Sequence, residues 1–211
     1  MKKYILIVFL TISLGAFAQT ERPPSPIPVE VMAGNHSNVY QLIVNKRFGP
    51  ESPFKFFNLI SYEIDDNDYT PDDYIIQTIG YYEFYNGFDA GVGTNFKAYG
   101  GFKPVVSVEY TRFSPTWGIV VQPVYEVDKD GEFSTLAIVE WHPMNGKKIK
   151  PYFRFQGLTA WASEHAFSYH RWRVGAQYHH FRFGPALNVQ YAGPDKLTSW
   201  NWGAFLNVEI F

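Results

Sequence analysis

Charged side chains at alternate positions carry the chemistry that this sequence suggests. Arg171 and Arg173, for example, alternate with Trp172 and Val174. Charges on an enclosed face must pair with one another, or they create a field across a water-filled passage that selects polar solutes. Seven basic and seven acidic residues share such polar faces: Arg47, Lys55, Lys97, Arg154, Arg171, Arg173 and Arg182, with Glu63, Glu83, Asp89, Glu109, Glu126, Glu140 and Glu209.

Strands must present these charges, because period-two alternation is the pattern of a β-strand with two unlike faces. Turn-forming pairs such as Asn86-Gly87 and Gly193-Pro194 separate the alternating stretches. No stretch of useful length has helical periodicity. The pattern predicts twelve strands, at residues 28–34, 38–48, 54–64, 74–84, 88–98, 104–113, 116–127, 132–143, 150–160, 169–179, 181–191 and 199–211.

The two faces of these strands predict a transmembrane β-barrel. Strands of about ten residues that are apolar on one face, polar on the other and aromatic near their ends are typical of such barrels. In 199–211, Leu206 lies on one face, and Asn207 and Glu209 lie on the other. We expect an all-β, antiparallel, up-and-down barrel of about twelve strands. A ten-strand barrel is the alternative, because the stretch 28–34 is weakly patterned and without it the count of strands would not be even. The tryptophans expected to face lipid are Trp117, Trp141, Trp172, Trp200 and Trp202.

A soluble β-sandwich is the main alternative, because it gives the same alternation with the apolar face turned to a protein core. Composition favours the barrel: aromatic residues make up 19% of the chain and charged residues only 18%, below the roughly 25% of charged residues usual in soluble domains. A sandwich would also leave strand edges to protect. The mean hydropathy of −0.20 argues against a helical membrane protein.

The first twenty residues, MKKYILIVFLTISLGAFAQT, have the features of a secretory signal peptide. Two lysines precede a short apolar run, and Ala16-Phe17-Ala18 is a small-x-small cleavage pattern. We expect a signal peptide at 1–18 cut after Ala18, a proline-rich lead-in at 19–27, and a barrel at 28–211 in the outer membrane of a Gram-negative cell. Lipid of that membrane would then be its surroundings. The chain has no cysteine, which excludes disulfides and thiolate metal sites.

The lumen charges predict the function. Acids cluster on the strands between 54 and 143, and four arginines lie on the next three strands, so the two arcs could face each other across the lumen. A twelve-strand barrel lies between those filled by side chains and those with an aqueous channel. We expect a charge-balanced lumen that serves a structural role or forms a narrow pore for small polar solutes. Glu140 and Arg154 are expected to be neighbours on adjacent strands.

The signal peptide ending in AFAQ, the alternating strands and the aromatic last strand ending in Phe211 resemble small outer-membrane barrel proteins of the Bacteroidota type. The resemblance covers nearly the whole mature chain and implies a class of protein and not an activity. It implies that the terminal phenylalanine is recognised by the outer-membrane assembly machinery, which would make that machinery a partner through the last strand. Phe211 shares its parity with Asn207 and Glu209, so its facing departs from the usual pattern.

A barrel hydrolase acting on lipid or peptide is the second functional hypothesis, and a soluble periplasmic binding sandwich is the third. Barrel enzymes that cleave lipids use Ser–His pairs at the membrane boundary, and no G-x-S-x-G motif is present. We therefore assign no catalytic residue. The histidines considered for such a pair are His142, His165, His170, His179 and His180.

Other ligand classes have little support in the sequence. Removal of Lys2 and Lys3 leaves 16 basic and 20 acidic residues, a net charge of −4, which argues against nucleic acid. No cofactor motif is present, and no metal site is assigned, although the acidic stretch 65–73 could offer oxygens to Ca²⁺.

Three residues depart from an apolar outer face. Lys46 and Arg112 are expected to face outward near the periplasmic ends of their strands, where long side chains can reach water. Asn58 also faces outward in this register, which a bulge in 54–64 would explain. The connections on the outer side are expected to be longer than the periplasmic turns.

Overall fold

The computed structural model describes residues 26–66, 73–143 and 146–211. These residues form twelve strands: β1 (Ile27–Gly34), β2 (Ser37–Arg47), β3 (Phe54–Asp65), β4 (Asp73–Tyr85), β5 (Phe88–Lys97), β6 (Gly101–Phe113), β7 (Trp117–Glu126), β8 (Phe133–Trp141), β9 (Ile149–Trp161), β10 (His165–Tyr178), β11 (Phe181–Ala192) and β12 (Leu197–Ile210). No helix within the described ranges is long and apolar enough to cross a membrane. The signal peptide expected at 1–18 and the lead-in up to residue 25 lie outside those ranges.

The strands form one closed antiparallel ring, in which each strand pairs with its neighbours in the chain. β12 closes the ring against β1, with eight residue pairs from Ile27–Ile210 to Gly34–Gly203. The twelve-strand prediction is confirmed, and the ten-strand alternative is wrong because the weakly patterned first stretch is a paired strand. The sandwich alternative is wrong as well, since a closed ring has no strand edges to protect.

Burial in this barrel is inverted relative to that of a soluble protein. On β12, Trp202 and Leu206 on the outer face are 64% and 48% exposed, whereas Asn207 on the inner face is fully buried. On β10, Val174 is 52% exposed, whereas its neighbour Arg173 is only 1% exposed. An apolar outer surface around a polar interior is the arrangement of a barrel that lies in lipid. In a protein surrounded by water, the polar groups would lie on the outer surface.

The two rims of the barrel carry paired aromatic rings on the outer face. At the end where β1 begins and β12 ends, which we call the terminal end, the rings of Trp117 and Trp141 lie 6.3 Å apart. At the opposite end, the loop end, the ring of Tyr74 lies 5.6 Å from that of Phe96. Such girdles suit the two membrane–water interfaces. The tryptophans on the outer face include Trp117, Trp141, Trp172, Trp200 and Trp202.

Three strands begin two or more residues earlier than the alternation predicts. β6 starts at Gly101 rather than 104, β10 at His165 rather than 169, and β12 at Leu197 rather than 199. β10 has a register shift between His165 and Phe167, and a bulge interrupts the period-two pattern on which the boundary was placed. These extensions shorten the connections at the loop end. The expected difference in length between the two ends is therefore wrong: the longest connections at the terminal end, 48–53 and 142–148, are as long as the longest at the loop end, 127–132 and 66–72.

Asn58 faces outward without a bulge, since β3 pairs in continuous register with both neighbours. Its side-chain nitrogen donates to the hydroxyl of Thr78 at 2.8 Å and to the carbonyl of Gln77 at 3.0 Å. The expected bulge is therefore wrong, and the amide is accommodated on the outer face because β4 supplies its acceptors. Lys46 and Arg112 lie on the outer face at the terminal end.

Candidate functional site in the barrel interior

The barrel interior brings together charged side chains from all twelve strands. All fourteen residues of the polar faces named from the sequence have inward positions in their strands, and most are buried. Glu30 on β1 also points inward and is 4% exposed. Sequence reasoning missed it because Pro28 and Met32 share its face, although outward Val29 and Val31 on either side were a usable signal. Glu30 adds an eighth acid to the seven acids and seven bases named from the sequence.

Glu30 is the centre of the largest ion-pair network. Its carboxylate accepts a hydrogen bond from Nε of Arg173 at 2.8 Å and one from Nη1 of Arg154 at 3.3 Å. Arg154 also lies 3.6 Å from Glu140, which lies 3.6 Å from Arg182. The neighbours Glu140 and Arg154 pair directly between β8 and β9, which confirms that prediction. Because the network alternates in sign, each buried charge has a partner.

Two arginines extend these contacts across the barrel. Nη2 of Arg154 on β9 donates to Oε1 of Gln41 on β2 at 2.9 Å, and Nη1 of Arg171 on β10 donates to the hydroxyl of Ser61 on β3 at 3.1 Å. In each case four strands lie between the two on the shorter way around the ring. The interior is therefore narrow enough for side chains from distant walls to meet.

A second charged cluster lies on β2 to β6 near the terminal end. Nζ of Lys55 bonds to Asp89 and, at 2.5 Å, to Oε1 of Glu109, and all three side chains are at most 3% exposed. Arg47 lies 2.7 Å from Glu83 on the adjacent hairpin. In this cluster, two cations, Lys55 and Arg47, therefore pair with three carboxylates.

An apolar group fills the interior between the charged clusters. It consists of inward side chains with little or no exposure from β2 to β4, from β6 to β8 and, with Tyr169, from β10: Ile43, Phe57, Leu59, Ile79, Tyr81, Val105, Val120, Val124, Leu136, Ile138 and Tyr169. Together with the Arg154 contacts, this group forms a layer across the barrel, which we call the waist.

One cavity lies on each side of the waist, and the two share no lining residue. The loop vestibule has a volume of about 220 Å³ and reaches the waist at Leu59, Gln122 and Leu136. The terminal vestibule has a volume of about 240 Å³ and reaches the waist from the other side at Phe57 and Ile138. The interior of the described barrel thus contains two chambers that are separated by packed side chains.

The loop vestibule holds two ion-pair groups. Nζ of Lys97 lies 2.7 Å from Glu126 and 3.0 Å from Glu132. On the opposite wall, Nη2 of Arg171 lies 3.9 Å from Glu63, whose carboxylate also accepts from the amide of Gln190 at 2.8 Å.

The terminal vestibule contains His142, which follows β8, and the last residue of the chain. Burial lowers the pKa of His142, and the positive charge of Arg182 lowers this pKa further. Arg182 forms its shortest ion pair with Glu209, at 2.6 Å. Phe211 lines the rim of this vestibule, and its ring lies 5.1 Å from that of His180. Phe211 therefore faces this rim, and β12 reaches it without a register shift.

A serine and a histidine meet at the loop end on β10. Nε2 of His165 lies 2.8 Å from the hydroxyl of Ser168, and Nδ1 lies 2.7 Å from the carbonyl oxygen of Gly193. A carbonyl only accepts, so Nδ1 carries the proton and Nε2 accepts from Ser168. The hydroxyl of Ser168 also lies 3.0 Å from that of Thr159 on the outer face; because a hydroxyl has one proton, Thr159 is the donor in this bond when Ser168 donates to His165. Among the other histidines considered, His170 lies between the rings of Phe155 and Tyr191, and His179 and His180 form the turn between β10 and β11.

No protein-family model matches the chain, and no curated protein sequence matches it. Among solved structures, a NanC porin is 9% identical, with 88% of this chain and 99% of that chain covered and a TM-score of 0.49. The KdgM porin is 8% identical, with 89% of this chain and 100% of that chain covered and a TM-score of 0.51. At this identity the likeness to the KdgM porin concerns the fold alone: the chain is a closed, twelve-strand, antiparallel β-barrel that matches a porin over that porin's full length.

Proposed function

We propose that this protein is an outer-membrane barrel that forms a narrow pore for small polar solutes, closed at its waist in the state described. The observation that carries the proposal is the pair of opposed vestibules, one on each side of a single layer of side chains. A gated pore has a chamber at each mouth and a closure between them, and the two vestibules on either side of the waist fit that arrangement.

The outer surface supports insertion in a membrane. Apolar side chains are exposed around the ring while charges are buried inside it, and water would favour the reverse arrangement. Fold similarity to the KdgM porin and the signal peptide expected at 1–18 are consistent with the outer membrane. In the proposed orientation the terminal end faces the periplasm, and the loop end faces the exterior.

The waist has the composition of a movable closure. Its apolar half is held mainly by packing. Its polar half is joined across the barrel by Arg154, whose partners Glu30 and Glu140 each retain another arginine if Arg154 moves. A rotamer change of one or two side chains would therefore open a path without leaving a buried carboxylate unpaired.

Single-channel recording of refolded protein in a planar bilayer tests the proposal. We expect small discrete conductance steps, which become larger in Leu136→Ala because this substitution removes part of the waist. Folding is checked by heat-modifiable migration on gels. Absence of steps from folded wild type and from folded Leu136→Ala would contradict a pore and leave a structural role.

A lipid-ester hydrolase is a second candidate, which the Ser168–His165 pair favours. The tautomer fixed by Gly193 leaves Nε2 of His165 able to take the Ser168 proton, as a general base for a serine nucleophile must. The pair lies at the loop-end rim but is covered, with Ser168 at 9% and His165 at 5% exposure, so a substrate would have to displace the 193–196 connection.

Release of fatty acid from phospholipid vesicles by the refolded protein tests this second candidate. Activity lost in Ser168→Ala and retained in Ser199→Ala, an exposed serine on β12 at the same end, would support it. Equal rates for wild type and Ser168→Ala would leave the pair with a structural role, as a clamp between β10 and the 193–196 connection.

A further inference from the structure

A lysine and an aspartate on two strands that are not neighbours meet inside the barrel. Lys55 on β3 and Asp89 on β5 both point inward, and Nζ of Lys55 bonds to Oδ2 of Asp89 with β4 between the two strands. Asp89 is fully buried, and Lys55 is 3% exposed. An amine and a carboxyl group are therefore in contact at a place that bulk water does not reach. Well-oriented groups in contact can react as if one of them were present at about 10⁵ M or more.

Glu109 on β6 is the third member of this group. It lies directly opposite Asp89 in the register of β5 and β6, and it is also fully buried. Two carboxylates in this arrangement repel each other unless one of them carries a proton. Nζ of Lys55 lies 2.5 Å from Oε1 of Glu109, so Glu109 is placed to take a proton from the nitrogen that contacts Asp89. The amides of Asn45 and Gln122, at 3.1 and 3.3 Å, hold the Glu109 carboxylate in position.

The two oxygens of Asp89 have different surroundings. Oδ2 contacts Lys55, whereas Oδ1 has no hydrogen-bond partner within the part of the chain that the structure describes. Nη2 of Arg47 lies 4.0 Å from Oδ1, and a positive charge in this position stabilises negative charge that develops on Oδ1. Both oxygens of Glu109, in contrast, are held by donors. Asp89 is therefore the carboxyl group that is better placed to react with the amine.

We propose that Lys55 and Asp89 condense in the folded barrel to form an isopeptide bond, with Glu109 as the catalytic residue that carries protons. Glu109 takes a proton from Nζ and passes it to Oδ2 of Asp89, and the neutral amine attacks Cγ. The C–N bond forms while the π electron pair of the carbonyl moves to Oδ1, beside Arg47. Glu109 carries a second proton from the nitrogen to Oδ2. The C–Oδ2 bond then breaks, the C–Oδ1 double bond forms again, and Oδ2 leaves as water.

Burial favours the amide over the ion pair from which it forms. The positive and the negative charge disappear together, so the cost of keeping two ions away from water is removed. Lys97 is the internal comparison, because its Nζ also contacts two carboxylates, Glu126 at 2.7 Å and Glu132 at 3.0 Å. Lys97 is 20% exposed and Glu132 is 21% exposed, and water stabilises their charges. We therefore expect no condensation at Lys97, and the inference for Lys55 does not depend on whether the barrel conducts.

Intact mass spectrometry of the whole chain, purified in urea and then refolded, tests the proposal. The folded wild type, checked by heat-modifiable migration on gels, should be lighter than the urea-denatured starting material by one water molecule. Lys55→Arg keeps a positive charge but supplies no amine, so its mass should not change, whereas Lys97→Arg should lose water as the wild type does. Glu109→Gln should slow the loss about 100-fold or more, as expected for removal of a positioned proton carrier. An unchanged mass of the folded wild type would overturn the bond, and wild-type rates in Glu109→Gln would overturn the role of Glu109.

A tryptic digest locates the bond in the wild type without any variant. Trypsin does not cut after a lysine whose side chain is acylated, so the refolded protein should give one peptide, 48–97, that lacks one water, in place of 48–55 and 56–97. This peptide contains both Lys55 and Asp89. A bond from Lys55 to Glu109 would instead attach a second tryptic peptide, and that result would overturn the assignment to Asp89. Separate peptides 48–55 and 56–97 from folded protein would overturn the proposal.

Discussion

Arg154 and Gln41 are hydrogen-bonded across the barrel, Nη2 to Oε1 at 2.9 Å, although four strands separate β9 from β2 on the shorter way around the ring. The same guanidinium donates to Gln156 and pairs with Glu30 and Glu140. One side chain therefore ties the two walls at the waist.

Arg154→Ala should lower the free energy of unfolding by about 1.5–3 kcal/mol, the usual range for hydrogen bonds to a charged group. The loss is limited because Glu30 keeps Arg173 and Glu140 keeps Arg182. Urea unfolding in lipid vesicles measures this change in stability. The conductance steps of Arg154→Ala should also be larger than those of the wild type, because the substitution removes part of the waist. Lys129→Ala, an exposed charge at the loop end, should change stability by less than about 0.5 kcal/mol.

A double-mutant cycle with Gln41→Ala isolates the cross-barrel contact. Residues in direct contact usually show coupling of about 0.5–3 kcal/mol. A coupling energy near zero would mean that the two walls are not joined through this bond in the membrane.

Lys55→Met should destabilise the barrel more strongly, by about 3–5 kcal/mol. The substitution leaves Asp89 and Glu109 buried without their shared cation. Combining it with Glu109→Gln should restore more than half of the loss, because one uncompensated charge is removed. Lys46→Met, on the outer face of the neighbouring strand, is the matched control. A loss as large in Lys46→Met would show that the effect does not come from the buried cluster.

The strands and the facing of their charges follow from alternation because nearly every inward charge has an outward apolar neighbour on both sides, as Arg173 does; the exceptions among those named from the sequence are Arg47, beside Lys46, and Arg171, beside His170. The inward position of Glu30 was not predicted from the sequence, because the neighbouring residues on its face, Pro28 and Met32, are not polar. The partners of these charges were not accessible from the sequence. Arg154 reaches Gln41 over a distance of 113 residues along the chain, and such a pairing depends on the diameter and stagger of the closed barrel.

Local patterns failed where tertiary contacts override them. A bulge moved the start of β10 to His165, and Thr78 on the adjacent strand supplied the acceptor that makes outward Asn58 acceptable. The vestibules and the waist are also absent from alternation alone, because Leu59 and Glu63 have the same inward parity but lie at different depths.

Gly203→Ala should impair closure of the barrel. Gly203 lies opposite Gly34 at the seam between β12 and β1, and a Cβ at this position would lie 1.9 Å from the carbonyl oxygen of Ala33. The backbone must shift to accommodate it, at a cost of about 1–3 kcal/mol or more. We expect a reduced yield of the heat-modifiable folded form.

Gly80→Ala is the control for a glycine in a strand, because a Cβ at Gly80 meets no atom within 4 Å. Its yield should match that of the wild type. A wild-type yield for Gly203→Ala as well would show that the seam can widen without loss of pairing.

His142 should make stability depend on pH. Burial and the charge of Arg182 hold its pKa below the ordinary value of 6.5, so the folded protein keeps this imidazole neutral. The unfolded chain binds a proton as the pH falls through about 6.5, and stability is lost from there down toward the lowered folded pKa. His142→Gln should therefore flatten the slope of unfolding free energy against pH in this range, whereas His36→Gln at the opposite end should leave the His142 contribution in place. Urea midpoints measured at several pH values decide the matter: a slope unchanged in His142→Gln would show that this imidazole is protonated equally in the folded and unfolded chain.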